Sequence, residues 1–221
     1  MKRHAIIVLL LQMGVLYMKI IVFGATGGVG QHVVKQAIEA GHEVTAFVRT
    51  PEKLEVQENV TIIQGDAFNK QQVADAIVGH EAVVSCLASS NGMKPSTELE
   101  QMSINVADGM EAAGVSRFVY CASAGVYGEI PGLMGKLVMR LLKNALKDHR
   151  AALDYYQTKS FTYTIARPMG LKNEPLITDY REAFEGVPPK AGSIPRASVA
   201  HFMVKALNDS TYENTSVAIS K

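Results

Sequence analysis

The segment "IIVFGATGGVG" constrains the fold of this chain more than any other, because it joins a short apolar run directly to a glycine-rich turn. Residues 19–23 have the β-branched, apolar character of a strand that is buried on both faces. Residues 30–40 follow with a helical period and end at Gly41, a residue typical of helix carboxyl termini. The order strand, glycine turn, helix predicts the first unit of an α/β fold.

The same alternation of strands and helices continues through most of the 221 residues, a length that suits one substantial core. Right-handed crossovers between such strands place helices on both faces of a parallel sheet. The sequence therefore predicts a doubly wound, Rossmann-like parallel sheet in a single domain of residues 18–221, with a short irregular segment at 168–197. Further strands are predicted at 42–49, 61–64, 81–87, 117–123 and 162–167, and further helices at 71–78, 99–113, 133–159 (with a break near Lys147) and 198–207.

Residues 1–17 stand apart from this alternation. Lys2, Arg3 and His4 precede an apolar run that resembles part of a signal peptide, but no small-residue cleavage site follows it. The run is also shorter than the ~20 apolar residues that span a bilayer. We interpret residues 1–17 as an extension upstream of a natural start at Met18.

Charge and cysteine content argue against several classes of partner. The chain has 22 basic and 21 acidic residues, mixed in sign, which predicts neither a nucleic-acid face nor a polybasic membrane patch. Cys86 and Cys121 lack the spacing of metal ligands, so no metal is expected. Two free thiols suit a reducing cytosol, and the predicted location is cytoplasmic. The expected partner is a small molecule.

The glycines of the first turn have physical roles that point to one kind of ligand. In such turns one glycine permits a tight bend, a second lets the backbone approach a pyrophosphate, and a third lets helix and strand pack closely. The helix amino terminus adds unpaired N–H groups and a partial positive charge. The turn therefore predicts a dinucleotide site rather than a purely structural bend. The residues assigned to it are Gly24, Thr26, Gly27, Gly28, Val29 and Gly30.

The end of the second strand indicates which dinucleotide is preferred. An acidic residue there accepts hydrogen bonds from the ribose 2′-hydroxyl of NAD, whereas an arginine suits the 2′-phosphate of NADP. This strand ends with Arg49, and Lys53 lies one turn beyond. NADP(H) is therefore the predicted cofactor, with NAD(H) possible. The alternative is that both residues are ordinary solvated charges.

Six motifs, taken in order, resemble those of a known family. They are "IVFGATGGVG", "VTAFVRTPEKL", "GDAFN", "GVSRFVYCASAGVYG", "YTIARP" and "VAHFMVKAL". From about Met18 to the carboxyl terminus, the chain resembles the atypical short-chain dehydrogenase/reductase family, in the NAD(P)H-binding branch that includes flavin reductase, also called biliverdin-IXβ reductase. The resemblance implies further cofactor contacts after the third, fourth and sixth strands. They are Asp66 and Ala67 at the adenine, Leu87, Ala88 and Ser89 along the cofactor, and Pro168.

Ser123 ends the fifth predicted strand, and the resemblance places it near the nicotinamide. Topology supports a ligand role independently, because the carboxyl ends of strands in a doubly wound sheet border the ligand crevice. Its hydroxyl could bond a substrate carbonyl or the nicotinamide amide. The alternative is a serine that only satisfies local backbone groups. We treat Ser123 as a catalytic candidate.

Tyr155 and Lys159 have the four-residue spacing of a short-chain dehydrogenase proton shuttle, but their position argues against that role. They fall in the last turn of a helix that begins near the carboxyl edge of the sheet. About 15–22 Å of helix separates them from that edge, at 1.5 Å per residue. General acids need hydrogen-bond reach. His149, nearer the start of this helical region, is the better candidate for a proton relay, the alternative being an exposed histidine.

The leading functional hypothesis is an NADPH-dependent reductase acting on a flavin, quinone or other conjugated acceptor. Segment 168–197 would pack over the carboxyl edge as a substrate-side segment, with Tyr180 and Arg181 as further candidates for its pocket. The alternatives are a nonenzymatic NADP(H) sensor and, from "SAGVYG", a sugar-nucleotide epimerase or dehydratase. The oligomeric state is not predicted. Met134, Met139 and Met169 are the predicted adaptable wall of the acceptor site.

Overall fold

The computed structural model describes residues 17–221. The predicted amino-terminal extension therefore falls almost entirely on residues outside the described part of the chain. Across 17–221, no helix combines the length and the apolar character needed to cross a membrane.

The first half of the chain forms regular β–α units in the predicted order. The Asn69 side chain accepts a hydrogen bond from the Gln72 N–H and marks a helix start, and a left-handed Gly114 marks a helix end. The elements are β1 (Lys19–Phe23), α1 (Gly30–Glu39), β2 (Glu43–Val48), β3 (Val60–Gln64), α2 (Lys70–Ile77), β4 (Ala82–Ser85), α3 (Glu98–Ala113) and β5 (Arg117–Cys121).

The second half is less regular. The predicted helical region is two helices that meet at Leu142, so the predicted break near Lys147 was placed five residues too late. The remaining elements are α4 (Gly132–Leu141), α5 (Lys143–Tyr156), β6 (Thr162–Pro168), β7 (Leu171–Lys172), β8 (Arg181–Ala183), β9 (Ile194–Pro195), α6 (Arg196–Asn208) and β10 (Thr215–Ser220).

Eight strands form one sheet in the order β3-β2-β1-β4-β5-β6-β10-β8. All neighbouring strands are parallel except β8, which is antiparallel to β10 at the edge. The predicted doubly wound, Rossmann-like class is therefore confirmed. The sequence analysis missed β10, because 46 residues separate it from β6 and make the connection between the two strands hard to recognise. Strands β7 and β9 pair in a separate two-stranded sheet.

Helices cover both faces of the sheet and leave its carboxyl edge for ligands. Helices α1 and α6 pack together on one face, and α2, α3 and α5 pack on the other. The chain proceeds outward in one direction from β1 to β3 and in the other from β4 to β6. Between β1 and β4 the strand order therefore reverses, and in open α/β sheets ligands bind at that reversal.

Candidate cofactor-binding and active site

The glycine turn after β1 is shaped by backbone atoms that leave no room for side chains. Gly24 has φ +72°, and a Cβ there would lie 2.5 Å from the carbonyl oxygen of Cys86, at the end of β4. A Cβ on Gly30 would collide with the carbonyl oxygen of Gly24. That same oxygen accepts a hydrogen bond from the Gly27 N–H at 2.9 Å. The result is a concave backbone cradle at the start of α1, which suits a phosphate.

A cleft of about 180 Å³ opens from this cradle across the ends of β1, β2 and β4. We call it the cofactor cleft. It brings together residues from four separate sequence motifs, as expected where strand ends converge. Of the predicted cofactor contacts, Gly24, Thr26, Gly27, Arg49, Asp66, Ala67, Leu87 and Ala88 line it.

The other predicted contacts lie outside its lining. Gly30 is buried in the first turn of α1. Lys53 lies in a short 3-10 helix, where its carbonyl accepts a hydrogen bond from Gln31. Gly28, Val29, Ser89 and Pro168 are the remaining four.

Arg49 and Lys53 therefore have different surroundings, although the sequence treated them as a pair. Arg49 is exposed at the end of β2 and lines the cofactor cleft. Within residues 17–221, no carboxylate forms an ion pair with it. Hydrogen bonds from Ser90 lower the pKa of Glu98, and the positive charge of Arg49 adds a smaller effect in the same direction. Arg49 thus places a positive charge at the cofactor cleft without an ion pair among residues 17–221.

Ser89 and Pro168 have structural partners beside the cleft. The Ser89 hydroxyl is 2.9 Å from the Ser96 hydroxyl and 3.1 Å from a Glu98 carboxylate oxygen, which orders the turn before α3. The Pro168 carbonyl accepts a hydrogen bond from the Ala124 N–H at 2.9 Å. This bond ties the end of β6 to the residues that follow β5.

The sequence analysis missed several residues of the cofactor cleft. Phe47 and Val48 directly precede Arg49 on β2, so their position was a usable signal. Met102 comes from α3, and nothing in its local pattern separates it from a core residue. Burial raises the pKa of the Cys86 thiol well above its usual range, which keeps it a neutral wall residue. Gly65 is the fifth missed residue.

A second cavity, of about 380 Å³, lies where β6 ends, and we call it the apolar cavity. Its walls come from α4, from the residue after β6 and from the irregular segment. Of the three methionines predicted to wall the acceptor site, Met134 and Met169 line this cavity, whereas Met139 packs beside Gly125. Tyr180 and Arg181 are elsewhere, bonded to His201 and to backbone carbonyls including that of Lys221. The lining is Ile130, Pro131, Met134, Gly135, Val138, Met169, Val187, Pro188, Pro189, Lys190 and Ala191.

Ser123 lies between the two cavities in the order of the strands, because β5 is flanked by β4 and β6. It is half-buried and lines neither cavity. Its hydroxyl donates to the carbonyl oxygen of Ala124 at 3.1 Å. Such a local bond is weak and can be exchanged for a ligand.

His149 is not at a helix start. It lies in the middle of α5, half-buried, with Nδ1 2.9 Å from the hydroxyl of Tyr120 on β5. Burial lowers the pKa of His149 to about 4, so the ring is neutral at pH 7. His149 lines neither cavity, so the structure does not bring it into the cofactor cleft.

Tyr155 and Lys159 belong to a charged cluster at the far end of α5. The Tyr155 hydroxyl donates to an Asp108 carboxylate oxygen at 2.6 Å, which raises the pKa of the phenol. Lys159 lies 3.4 Å from Asp108 and 2.8 Å from Glu111, and Lys70 lies 2.7 Å from Asp108. Both candidates thus contact α3, and neither lines a cavity.

Residues 24–210 match the protein family described as NAD(P)H-binding. The chain belongs to this family. The matched residues include the glycine turn, every residue of the cofactor cleft and all of α6. The resemblance to atypical short-chain dehydrogenases/reductases is thereby confirmed, and so is the predicted enzyme class, an NAD(P)H-dependent oxidoreductase, at the level of the family.

Two curated relatives illustrate the range of chemistry around this family. The 3-beta-hydroxysteroid dehydrogenase of Mycolicibacterium neoaurum is 34% identical over 119 residues, which cover 49% of this chain and 32% of that protein. The chain therefore matches about a third of this relative's length. A UDP-glucose 4-epimerase of Klebsiella pneumoniae is 30% identical over 135 residues, which cover 52% of this chain and 95% of that sequence.

Solved structures share the whole fold at lower identity. A short-chain dehydrogenase/reductase from Veillonella parvula in complex with NADP superposes with a TM-score of 0.79, at 22% identity, over 93% of this chain and 95% of the other. The anaerobilin reductase ChuY from Escherichia coli O157:H7 has a TM-score of 0.77, at 21% identity, over 91% and 96%. These similarities show that the chain shares its fold with both structures.

Proposed function

We propose that this protein is an NADPH-dependent reductase that transfers hydride to a flat, conjugated acceptor such as a flavin or quinone. The apolar cavity beyond Ser123 is the observation that carries the proposal. Ten of its eleven lining residues have no charge, and Lys190 is the exception. An acceptor held there would owe its affinity to burial of apolar surface, with few polar groups to orient it.

The residues of the cofactor cleft fit a dinucleotide. The cradle formed by Gly24, Gly27 and Gly30 would receive the pyrophosphate, and a Cβ at either outer glycine would collide with backbone atoms that shape it. Arg49, with no carboxylate partner among residues 17–221, would meet the 2′-phosphate. Leu87 and Ala88 would line the path toward Ser123. NADP(H) is therefore the proposed cofactor.

The protein's own contribution to the reaction is orientation and exclusion of water. Bound NADPH supplies the hydride, and that chemistry belongs to the cofactor. Ser123 follows β5, the strand between β4 and β6, and it would hold the nicotinamide amide or an acceptor carbonyl by a hydrogen bond. Met134 and Met169 provide polarizable side chains against a flat ring. The proton would come from solvent, so no tyrosine acid is required.

The relatives support this reading without naming the acceptor. A structural neighbour is described with NADP, and another is an anaerobilin reductase. An epimerase remains the alternative that the Klebsiella relative favours. The apolar lining of the cavity counts against it, because a sugar needs hydrogen-bonding partners.

Steady-state oxidation of NADPH with a panel of flavins, quinones and dyes tests the proposal. We expect turnover with at least one planar acceptor and none with UDP-sugars. Tight NADPH binding without turnover of any acceptor would contradict a reductase and support the nonenzymatic alternative. Interconversion of UDP-sugars would support the epimerase.

The cofactor preference is tested with a matched pair of variants on the same loop. Arg49→Met should weaken NADPH binding about ten- to hundredfold, as for loss of a hydrogen-bonded charge pair, and leave NADH binding nearly unchanged. Lys53→Met removes the same charge outside the cofactor cleft and should change either affinity less than twofold. Equal losses for NADPH and NADH in Arg49→Met would contradict a 2′-phosphate contact.

A further inference from the structure

Arg196 lies across the glycine turn, although it belongs to the carboxyl-terminal part of the sequence and the turn to the amino-terminal part. A Cβ placed on Gly28 would lie 2.7 Å from Cδ of Arg196 and 2.8 Å from its Nε. The arginine side chain therefore passes directly over the backbone of Gly28, beside the cradle built by Gly24, Gly27 and Gly30. A residue larger than glycine at position 28 would displace it.

The two-stranded sheet aims this side chain. In the parallel pairing of β7 with β9, Leu171 lies opposite Ile194 and Lys172 opposite Pro195. The next residues in that register are Asn173 and Arg196, and Nη1 of Arg196 donates to Oδ1 of Asn173 at 2.7 Å. Ile194 is fully buried, which fixes the strand that precedes Arg196.

The start of α6 is also held against α1. The Gln36 side chain, on α1, donates to the Ala197 carbonyl oxygen at 2.9 Å. The position of Arg196 relative to the glycine turn is thus set by one buried strand residue, one register and one interhelical hydrogen bond. This arrangement places the guanidinium before any ligand arrives, which lowers the ordering cost of binding.

The charge of Arg196 has no structural use within the described chain. Among residues 17–221, no carboxylate lies within ion-pair distance of it, and its one hydrogen-bond partner is a neutral amide oxygen. It also occupies the first turn of α6, where the helix dipole disfavours a cation. A positive charge in this position, over a turn with the geometry of a phosphate cradle, is suited to binding an anion.

We propose that Arg196 binds the pyrophosphate of the dinucleotide from above the glycine turn, as a clamp supplied by the carboxyl-terminal segment. The proposal deepens the proposed function and rests on cofactor binding, but not on the identity of the acceptor. Arg49 and Arg196 then divide the phosphates between them: Arg49 at the 2′-phosphate and Arg196 at the pyrophosphate.

The division of labour gives a distinctive test. Arg196→Met should weaken NADPH and NADH binding by the same factor, about tenfold or more, because both carry the pyrophosphate. Affinities are measured from the change in nicotinamide fluorescence on titration, which needs no turnover. Arg140→Met is the control, since it removes the same charge from an exposed position on α4 that does not line the cofactor cleft, and should change neither affinity by more than twofold.

A second variant acts on the clamp without removing its charge. Gly28→Ala should push the Arg196 side chain aside and weaken both cofactors, and the same change in an Arg196→Met background should cost less. Such a cycle measures the coupling between the two residues. Because Gly28 does not have positive φ, alanine adds no backbone strain there.

Three results would overturn the proposal. They are unchanged affinities in Arg196→Met, a loss confined to NADPH, and full additivity of the two substitutions. If Arg196→Met fails to fold, Arg196→Lys and the Gly28→Ala variant provide the same comparison of NADPH with NADH. Failure of the reductase proposal is a separate result, since it appears as tight binding of both cofactors without acceptor turnover.

Discussion

The cofactor cleft and the apolar cavity lie on the same edge of one sheet, but different atoms shape them. Backbone atoms shape the glycine-turn end of the cofactor cleft: the carbonyl oxygens of Cys86 and Gly24 are so close to Gly24 and Gly30 that no Cβ fits. Side chains define the apolar cavity, chiefly those of Ile130, Met134, Val138 and Met169. A site made of backbone fixes its residue types, whereas a site made of side chains can change its ligand without changing the fold.

The largest expected effect comes from adding one methyl group to the glycine turn of the cofactor cleft. Gly24→Ala combines positive φ with a clash against Cys86, so we expect a loss of stability of about 2–4 kcal/mol and at least a hundredfold loss of NADPH affinity. Urea unfolding and fluorescence titration measure the two effects.

Gly79→Ala is the matched control for that substitution. Gly79 has φ +79°, and a Cβ there would meet nothing within 4 Å. The strain is similar and the clash is absent, so we expect a cost of about 1 kcal/mol and unchanged affinity. Equal NADPH affinity in Gly24→Ala and Gly79→Ala would show that the close approach at Gly24 does not shape the cofactor site.

Acceptor binding in the apolar cavity should respond to an added charge and not only to a change in side-chain volume. Val138→Asp places a carboxylate in the wall of the apolar cavity, where a planar apolar acceptor would have to desolvate it. We expect the KM for the acceptor to rise about tenfold or more, with the NADPH affinity unchanged.

Leu133→Asp provides the comparison on the same helix. Leu133 is 87% exposed and lines neither cavity, so its replacement should change KM less than twofold. Equal rises in KM for the two variants would mean that the acceptor contacts the outer face of α4 rather than the apolar cavity.

The same contrast explains how much could be predicted from the sequence. Gly24 and Gly27 were enough to predict the cofactor cleft, because a turn that leaves no room for a Cβ restricts the residue types at those positions. Arg49 was found because it ends the second strand, where the residue type selects the cofactor, and Asp66 was found through the resemblance to a known family. Strand β10 and the residues that line the apolar cavity opposite α4 were not found, since they depend on contacts between segments that are far apart in the chain.

Arg196 was missed for a further reason. Its guanidinium reaches the glycine turn through the pairing of β7 with β9, and both strands are only two residues long. Periodicity cannot detect such short strands. His149 was found but placed at a helix start, because the break at Leu142 contains neither glycine nor proline.

The buried face of α5 should affect stability more than catalysis. The folded chain holds His149 at a pKa of about 4, whereas an unfolded histidine titrates near its usual 6.5. Between these values the unfolded state binds more protons, so the free energy of unfolding should fall as pH falls from 6.5 to 4. In His149→Gln this fall should be shallower, while activity at pH 7 changes less than fivefold.

Urea midpoints at pH 7.0, 5.5 and 4.5 measure that slope for the two proteins. Tyr120→Phe serves as a companion variant, because it removes the hydroxyl partner and keeps the imidazole. An unchanged slope in His149→Gln would contradict a His149 ring that is half-buried and neutral in the folded protein. A large loss of kcat at pH 7 in a folded variant would restore His149 as a catalytic residue.

The smallest effect is expected at the pair whose spacing most resembles a dehydrogenase motif. Tyr155→Phe removes one hydrogen bond to Asp108, a residue that lines neither cavity, and should cost about 1 kcal/mol of stability. Reductase activity should stay within twofold, because a phenol bonded to α3 has no reach to an acceptor beside Ser123. Lys159→Met, which removes ion pairs with Asp108 and Glu111, should behave alike. A hundredfold loss of kcat in folded Tyr155→Phe would show that the chemistry occurs at the end of α5 and not between the two cavities.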